Sequence, residues 1–462
     1  MDAIQRVFIA NRGEIAARVI RACRALNLET VLAVSEADKD SPPARMADRA
    51  VCMGPAPASQ SYLRHDLIIT AALATGCQAV HPGYGFLSER SVFAQACREN
   101  SLIFIGPSPQ AIERMGDKLN AIALARQAGV PVIPGSGQLQ SWTQAREAAD
   151  EIGYPCLIKA SAGGGGRGMR VVQEPEALRR AFDSARAEAQ SAFGDATVYM
   201  ERFIQKARHI EIQILGDHHG NIVHLFERDC SVQRRHQKLI EEAPSPVLPD
   251  NVRQDMANAA LALAQTVGYV NAGTVEFVYD ATTREFFFLE MNTRIQVEHP
   301  VTEMVTGIDL VQEQIRVAAG LPLSFTQNDV RLKGHAIECR LNAEDPQNGF
   351  VPSPGRLQAW SSPAGEGLRL DTHCEPGYLI PPYYDSMVGK LIAFGQNRDV
   401  ARRRLLQGLA SLQVQGIRTT RELQSAILAG AAFTEGDVST RWLEQEFLPE
   451  WLALETMEET RQ

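Results

Sequence analysis

The chain has 462 residues, of which 45% are hydrophobic and 22% charged, and its formal net charge is −9. This ordinary globular composition argues against a disordered, collagen-like or coiled-coil chain, and the negative charge argues against a general nucleic-acid binder. At about 150 residues per domain, the length favours about three domains.

The cysteine spacing and the hydropathy of the chain limit the kinds of metal or redox site and the cellular compartment that we expect. No two of the eight cysteines have Cys-x-x-Cys spacing, which excludes a zinc ribbon and a thioredoxin-type motif. Scattered single cysteines suit a reducing compartment. No apolar run approaches the roughly 18 residues of a membrane span, and the N-terminus does not resemble a signal peptide because it already reads as a strand. We therefore expect a cytoplasmic protein or a mature organellar form, with no membrane and no nucleic acid among its partners.

The first third of the chain alternates short apolar strands with helical patterns. The predicted strands are 7–10, 29–34, 79–81 and 103–105, and the predicted helices are 14–26, 67–74 and 92–99. This rhythm predicts an open parallel sheet with helices on both faces. Ligands bind beyond the carboxyl ends of the strands in such sheets, where segments 11–14 and 81–89 lie.

The middle of the chain is predicted to mix strands with helices. Strands 155–159 and 169–172 flank a glycine run, and two strands joined by a short turn, 273–279 and 285–291, predict an antiparallel hairpin. The other predicted elements here are helices 178–191, 252–266 and 309–319 and strands 198–203, 209–215 and 222–227.

The last quarter is predicted to be rich in β-structure. The expected strands are 335–341, 356–360, 368–373 and 389–394, followed by a final helix over 400–412. The last dozen residues are polar and acidic, and we expect a loose tail there.

The glycine run follows Lys159 and contains Gly163, Gly164, Gly165 and Gly166. Gly163, Gly165 and Gly168 fit G-x-G-x-x-G, but that dinucleotide fingerprint requires a helix next, and the next segment reads as a strand. A P-loop is excluded because no Gly-Lys-Ser/Thr follows. A strand–loop–strand unit can instead fold over phosphates, since glycine lets backbone N–H groups approach an anion. The alternative is a flexible turn without a ligand.

Two carboxylates, Glu276 and Glu290, lie inside otherwise apolar strands of the predicted hairpin. If the hairpin forms, both can point to one face. Unpaired buried carboxylates are costly, and Mg²⁺ accepts one or two carboxylates together with phosphate oxygens. The pattern favours a shared metal ion, and the alternative is that each acid pairs with Arg or Lys.

Segment 292–300 begins where the strand carrying Glu290 ends. Arg294 offers a planar fork for a small oxyanion such as carboxylate or bicarbonate, Gln296 can hydrogen-bond it, and Glu298 can act as a general base. The alternative is a loop with an Arg–Glu salt bridge.

Segment 228–242 is densely charged and is either a solvated basic loop or a set of anion and ribose contacts. Lys118, at a predicted helix start, opposes the helix dipole, which a bound anion would explain.

Together these segments resemble the ATP-grasp ligases, and specifically the biotin carboxylase subunit of biotin-dependent carboxylases such as acetyl-CoA carboxylase. The resemblance covers about residues 4–445. The motifs that carry it are segments 9–16, 81–89, 228–238, 290–300 and 338–342 together with the glycine run. Ala162 departs from the family pattern, which usually has another glycine there.

The resemblance implies a multidomain α/β and α+β chain with the ATP-grasp fold. The implied parts are a Rossmann-like parallel sheet over 1–115, an ATP-grasp domain over 116–330 with a mobile flap over about 131–203, a β-rich C-terminal domain over 331–446 and a polar tail over 447–462.

It also implies a role for each matching residue. ATP would be bound by Lys118, Lys159, Gly163, Gly164, Gly165, Gly166, Glu201, Arg202, Ile204, His209, Gln233, His236, Glu276 and Glu290. Mg²⁺ or Mn²⁺ would be bound by Glu276, Glu290 and Asn292, and bicarbonate by Lys238, Arg294, Gln296 and Val297. Catalysis would rest on Glu298 as base, on Arg340 at the biotin enolate, and on Lys238 and Arg294.

The implied activity is that of an ATP-dependent carbon–nitrogen ligase. It would carboxylate biotin at the ureido N1 with bicarbonate through carboxyphosphate, as the first half-reaction of an acyl-CoA carboxylase, with acetyl-CoA the leading expectation, or of a related carboxylase. The sequence contains no Met-Lys-Met biotin attachment site. The expected partners are therefore a separate biotin carboxyl carrier protein, carboxyltransferase subunits and a second copy in a homodimer. The alternatives are another ATP-grasp ligase, which should lack the 294–298 segment with Arg340, and a non-catalytic scaffold, which should lack at least one of these residues.

Overall fold

The computed structural model describes residues 4–161 and 169–459. The N-terminal part is a five-stranded parallel sheet in the order β3-β2-β1-β4-β5, as predicted. Its strands are β1 (Arg6–Ile9), β2 (Glu29–Val34), β3 (Arg49–Cys52), β4 (Ala79–His81) and β5 (Ile103–Phe104). Its helices are α1 (Gly13–Ala25), α2 (Pro42–Met46), α3 (His65–Ala74), α4 (Ser91–Glu99) and α5 (Pro109–Gly116), with a 3₁₀ turn at Ala58–Gln60.

The loops after β1 and β4 meet at the carboxyl edge of this sheet. The Asn11 side chain donates hydrogen bonds to the carbonyls of Pro82 and Tyr84, both at 2.7 Å. Gly13 begins α1 with φ of +69°, a conformation that glycine adopts at little cost. The two segments predicted from the strand ends are therefore neighbours.

A smaller antiparallel sheet follows, in the order β7-β6-β8. Its elements and the helices around it are α6 (Lys118–Gln127), α7 (Trp142–Ile152), β6 (Cys156–Ala160), β7 (Met169–Val172), α8 (Pro175–Phe193) and β8 (Val198–Arg202). Lys159 pairs with Met169 across β6 and β7, so the strand–loop–strand arrangement is confirmed. The loop itself, with Ala162 and the glycines, lies outside the described residues.

The largest sheet has eight antiparallel strands in the order β13-β12-β9-β10-β11-β14-β21-β19. Its first part comprises β9 (Ala207–Gly216), β10 (Ile222–Arg234), β11 (Gln237–Ala243), α9 (Asp250–Val267), β12 (Asn271–Asp280), β13 (Glu285–Asn292), α10 (His299–Thr306) and α11 (Leu310–Ala318), before a 3₁₀ turn at Gln327–Asp329. Ile210, Ile212 and Ile214 alternate along β9 and pack in one core cluster with residues of α9. The polar residues between them face the opposite side because side chains alternate along a strand.

The C-terminal part extends the same sheet, because β14 pairs with β11. Its elements are β14 (His335–Asn342), β15 (Glu344–Asp345), β16 (Val351–Pro352), β17 (Gly355–Arg356), β18 (Ala359–Ser361), β19 (Leu368–Thr372), β20 (Leu379–Ile380), β21 (Met387–Gly395), α12 (Arg398–Ser411), β22 (Gln413–Gln415), α13 (Arg421–Ala429), α14 (Ala431–Glu435) and α15 (Leu448–Glu459), with a 3₁₀ turn at Pro346–Asn348 and a π-helical turn at Leu443–Phe447. Among the residues that the structure describes, no helix is both long and apolar enough to cross a bilayer.

Three sequence expectations about the C-terminal part are wrong. The helix over 400–412 is not the last, since three more helices follow α12. The expected loose tail is helical to Glu459 and buries Trp451 at 7% exposure. Leu443, Phe447 and Trp451 recur every four residues and pack on the C-terminal core, so the acidic residues between them only mark the exposed face. The strand over 356–360 is two short strands that pair with different partners.

Candidate active site

A cavity of about 1300 Å³ lies between the large sheet, the smaller sheet and the carboxyl edge of the N-terminal sheet. Nearly all predicted site residues within the described ranges line it. They are Lys118, Lys159, Glu201, Arg202, Ile204, His209, Gln233, His236, Lys238, Glu276, Glu290, Asn292, Arg294, Gln296, Val297 and Arg340. Glu298 does not line the cavity and is fully buried.

The predicted carboxylate hairpin is present in β12 and β13. Glu276 pairs directly with Glu290 across the two strands, and opposed residues in an antiparallel pair share one face. Burial and the Glu276 charge raise the pKa of Glu290. Burial opposes ionisation of Glu276 too, but Lys238 and then His209 hold its pKa below the usual range. Two facing carboxyl groups of which one resists ionisation are a donor set that a divalent cation would satisfy.

The side chains that follow β13 converge on Glu276. Its Oε1 accepts from Asn292 Nδ2 at 2.8 Å and from Gln296 Nε2 at 3.0 Å. Arg294 is held between the same two amides, with Nη2 2.9 Å from Asn292 Oδ1 and Nη1 2.8 Å from Gln296 Oε1. Its Nε donates to Glu89 at 3.0 Å, so Arg294 also joins segment 81–89 to the site.

Lys238 lies at the centre of the charged network. Its Nζ is 2.6 Å from Glu211 Oε2, 2.9 Å from Glu276 Oε1 and 2.6 Å from Glu298 Oε1. Its side chain is 11% exposed, and those of the three acids are at most 5% exposed. Because ion pairs strengthen away from water, this ammonium group fixes three carboxylates from three different elements.

Glu298 joins that network to Arg340. Its second oxygen accepts from Arg340 Nη2 at 2.9 Å, while Arg340 Nε donates to Glu241 at 2.5 Å. Burial opposes ionisation of Glu298, yet Lys238 and Arg340 outweigh it and hold the pKa well below its usual value. Glu298 is therefore ionised at neutral pH, which is the form that accepts a proton.

The opposite end of the cavity is lined by the smaller sheet. Lys159 of β6 forms an ion pair with Glu201 of β8. Arg202 lies 2.9 Å from Glu285, over the ring of Phe287. His209 Nε2 is 2.9 Å from Glu276 Oε2. Although burial disfavours the imidazolium, the Glu276 carboxylate raises the pKa of His209 above its usual value.

Segment 228–242 is not a solvated loop, so that alternative is wrong. β10 continues through Arg234 and turns at 235–236 into β11. Arg228 is fully buried and donates to Glu211 at 2.5 Å and to Thr302 at 2.9 Å. The strand that was expected to end at 227 therefore carries this charge into the protein interior.

Sequence reasoning missed the acids that hold the cations. Glu211 pairs with both Lys238 and Arg228, and Glu241 pairs with Arg340. The available signal for Glu211 was an acid in the alternating run Ile210-Glu211-Ile212, the same signal that identified Glu276. Among the described residues, the tight groups of atoms able to hold a metal are His209–Glu211–Glu276 and Glu211–Cys230–Glu298. Lys238 contacts both groups, so they already have a cation.

Known sequence families match almost the whole chain. Residues 3–112 match the family described as biotin carboxylase, N-terminal domain. Residues 117–326 match the carbamoyl-phosphate synthase L chain, ATP binding domain. Residues 338–445 match the biotin carboxylase C-terminal domain.

Individual proteins are similar over nearly their full length. Biotin carboxylase 1 of Bacillus subtilis is 51% identical, covering 96% of this chain and 98% of the relative. A pyruvate carboxylase subunit from Methanothermobacter thermautotrophicus is 50% identical, covering 95% of this chain and 89% of the relative. The biotin carboxylase domain dimer of Hydrogenobacter thermophilus 2-oxoglutarate carboxylase, in complex with MgADP, ADP and bicarbonate, is 46% identical with a TM-score of 0.89, covering 96% of this chain and 97% of that one. The expected ATP-grasp architecture is thus confirmed, and the chain belongs to the biotin carboxylase family.

Proposed function

We propose that this protein is a biotin carboxylase, an ATP-dependent ligase that carboxylates biotin at N1 with bicarbonate and forms ADP and phosphate. The observation that carries the proposal is the buried Glu298 carboxylate, which is held between Lys238 and Arg340. These two cations line the same cavity as Arg294 and Gln296. An ionised base among cations suits a small anion that must lose a proton before it reacts.

The nucleotide is proposed to lie against the smaller sheet, with the adenine near Glu201, Arg202 and Ile204. Its phosphates would extend toward Lys118, Lys159 and the glycine run, and its ribose toward His209, Gln233 and His236. Glu276, Glu290 and Asn292 would hold Mg²⁺ or Mn²⁺, which would neutralise charge on the phosphate oxygens. Supporting this placement, all of these residues within the described ranges line one cavity.

Bicarbonate is proposed to bind between Lys238, Arg294, Gln296 and the backbone of Val297. Glu298 removes its proton, and the resulting oxyanion attacks the γ-phosphorus of ATP with ADP as leaving group. The chain's contribution to this transfer is positioning and charge neutralisation. The product, carboxyphosphate, breaks down to carbon dioxide and phosphate.

Biotin is proposed to lie at Arg340. The phosphate released from carboxyphosphate takes the ureido N1 proton, and N1 then attacks carbon dioxide. Arg340 stabilises the negative charge on the ureido oxygen. In the structure its fork is neutralised by Glu241 and Glu298, so the guanidinium is already oriented before biotin arrives.

The proposed partners are a separate biotin carboxyl carrier protein, carboxyltransferase subunits and a second copy of the chain. We propose an acyl-CoA such as acetyl-CoA as the final acceptor of the carboxyl group, with a keto acid as the alternative because of the pyruvate carboxylase relative.

The proposed domains are 1–115, 116–330 with a flap at 131–203, and 331–446. All eight cysteines are free, which supports a reducing compartment such as the cytoplasm.

The test is ATP hydrolysis with Mg²⁺, with and without bicarbonate and free biotin. Wild-type turnover should depend on bicarbonate and rise with biotin. Glu298→Gln keeps the side-chain shape but removes the base, and turnover should fall by about 10²–10⁴-fold. Glu29→Gln, whose carboxylate is on the surface at 60% exposure, is the matched control and should match the wild type. Bicarbonate-independent hydrolysis would refute the proposal.

A further inference from the structure

Lys390 is a lysine with no exposed surface in the middle of β21. It pairs with Arg340 of β14 on one side and with Asp371 of β19 on the other. Paired residues of adjacent strands point to the same face, so the Lys390 side chain lies on the face that carries Arg340. A buried ammonium group requires hydrogen-bonding partners, and they identify its role.

Its two partners come from distant parts of the chain. Lys390 Nζ donates to the Val297 carbonyl at 2.8 Å and lies 3.1 Å from Glu14 Oε1. The Tyr84 hydroxyl donates to the same Glu14 oxygen. Glu14 is in the first turn of α1, directly after the glycine turn that follows β1. One ammonium group therefore connects the C-terminal sheet, the N-terminal domain and segment 292–300.

The Val297 carbonyl controls the direction of Glu298. A peptide bond is planar, so fixing this oxygen also fixes the N–H of Glu298 and the plane from which its side chain leaves. Glu298 then begins α10 as its N-cap residue. On the other side of the turn, His299 Nδ1 lies 2.7 Å from the carbonyl oxygen of Gln296. The backbone that carries the proposed base is thus held from both sides.

We infer that Lys390 is a positioning residue, with Glu14 as its counterion, that holds the Val297–Glu298 peptide in place for bicarbonate activation. This inference rests on the proposed function. Lys390 acts through Val297 and does not itself touch a substrate in this proposal. A buried ion pair is weak support for stability, because well-packed apolar residues of similar size often stabilise equally well. A role in positioning the Val297–Glu298 peptide explains why a charged residue, Lys390, occupies this buried place.

The test compares Lys390→Met with the double variant Lys390→Met/Glu14→Gln, which removes both charges of the Lys390–Glu14 ion pair. Lys390→Arg keeps the charge and the donors. Lys206→Met, at an exposed site with 67% side-chain exposure, is the matched control. Each protein is examined by thermal unfolding, by steady-state kinetics with ATP and bicarbonate varied separately, and by hydrogen exchange of segment 295–300.

In the double variant we expect near-wild-type unfolding and unchanged KM for ATP. The KM for bicarbonate should rise, and kcat should fall on the order of 10²-fold, as for a small misplacement of a reacting group. Amide exchange in 295–300 should become faster, and Lys390→Arg should recover part of the activity. Lys206→Met should leave all of these unchanged.

Two results would overturn the inference. One is a stable double variant with wild-type bicarbonate kinetics and wild-type exchange in 295–300. The other is a loss of stability together with an increase in the KM for both ATP and bicarbonate, which would make Lys390 a purely structural residue. A wild-type protein without bicarbonate-dependent turnover would instead refute the proposed function, and exchange in 295–300 would still decide whether Lys390 holds this segment.

Discussion

The Lys238 network gives the sharpest prediction for stability. Lys238→Met removes the ammonium group shared by Glu211, Glu276 and Glu298 but keeps a side chain of similar length. Each acid retains at least one other basic partner, such as Arg228 for Glu211, His209 for Glu276 and Arg340 for Glu298. The variant therefore reduces the electrostatic stabilisation of each carboxylate but does not leave any of the three without a basic partner.

The expected cost is about 3 kcal/mol, the lower end of the usual range for removing one partner of a buried ion pair, because each acid keeps another basic partner. For a cooperative unit of a few hundred residues this corresponds to a fall in unfolding temperature of about 5–10 °C. Replacing Glu211 as well, in Lys238→Met/Glu211→Gln, removes one excess negative charge and should recover part of this loss.

The loss should depend on pH with a definite sign. Burial by itself would raise the pKa of Glu276 and Glu298, and Lys238 is the strongest influence that lowers both. A carboxyl group with a lowered folded pKa stabilises the protein above its unfolded pKa, and this stabilisation is lost as the pH falls through that range. Without Lys238 the two folded pKa values rise. The deficit of the variant should therefore be larger at pH 8 than at pH 4, which lies below the unfolded carboxyl pKa of about 4.3.

Thermal unfolding of wild type, Lys238→Met, the double variant and Lys206→Met at both pH values tests this reasoning. A Lys238→Met protein within 1 °C of wild type at pH 8 would show that the three contacts contribute little net stability. A deficit of equal size at both pH values would show that lost packing, and not charge, is responsible.

Three further predictions concern Arg340, Glu338 and Trp451. Arg340→Lys cannot reproduce the two-pronged contact with Glu241 and Glu298. Biotin-stimulated ATP hydrolysis should therefore fall about 10²-fold, while biotin-independent hydrolysis persists. An equal fall in both rates would contradict the proposed role of Arg340 at biotin. Glu338 is fully buried with neither carboxyl oxygen hydrogen-bonded, and burial raises its pKa well above the usual value. A raised carboxyl pKa makes the stability of the protein fall as the pH rises above the pKa of the unfolded state, by up to about 1.4 kcal/mol per pH unit. Glu338→Gln should therefore unfold at a higher temperature than wild type at pH 8, and the two unfolding temperatures should converge near pH 5. A variant that is less stable than wild type at pH 8 would refute this. Trp451→Ala should cost about 3 kcal/mol or more, measured as a lower unfolding temperature, whereas an unchanged midpoint would mean that α15 does not contribute to the C-terminal core.

Local patterns in the sequence were enough to find much of the proposed site. The alternation of side chains along a strand put Glu276 and Glu290 on one face as soon as a hairpin was predicted, and the register confirms it. The turn after β13 placed Arg294 and Gln296 beside them. The same reasoning failed at the C-terminus, where acidic composition concealed the four-residue spacing of Leu443, Phe447 and Trp451.

The sequence by itself determined the types of most elements, the parallel character of the N-terminal sheet, the antiparallel hairpin of β12 and β13, and which side chains share a strand face. Only the tertiary structure decided which cation meets which acid. Lys238 reaches Glu298 across 60 residues, and Lys390 reaches Val297 across 93. These contacts follow from the order β9-β10-β11-β14-β21 within the large sheet, and strand order is set by how whole elements pack, which no local spacing of residues encodes.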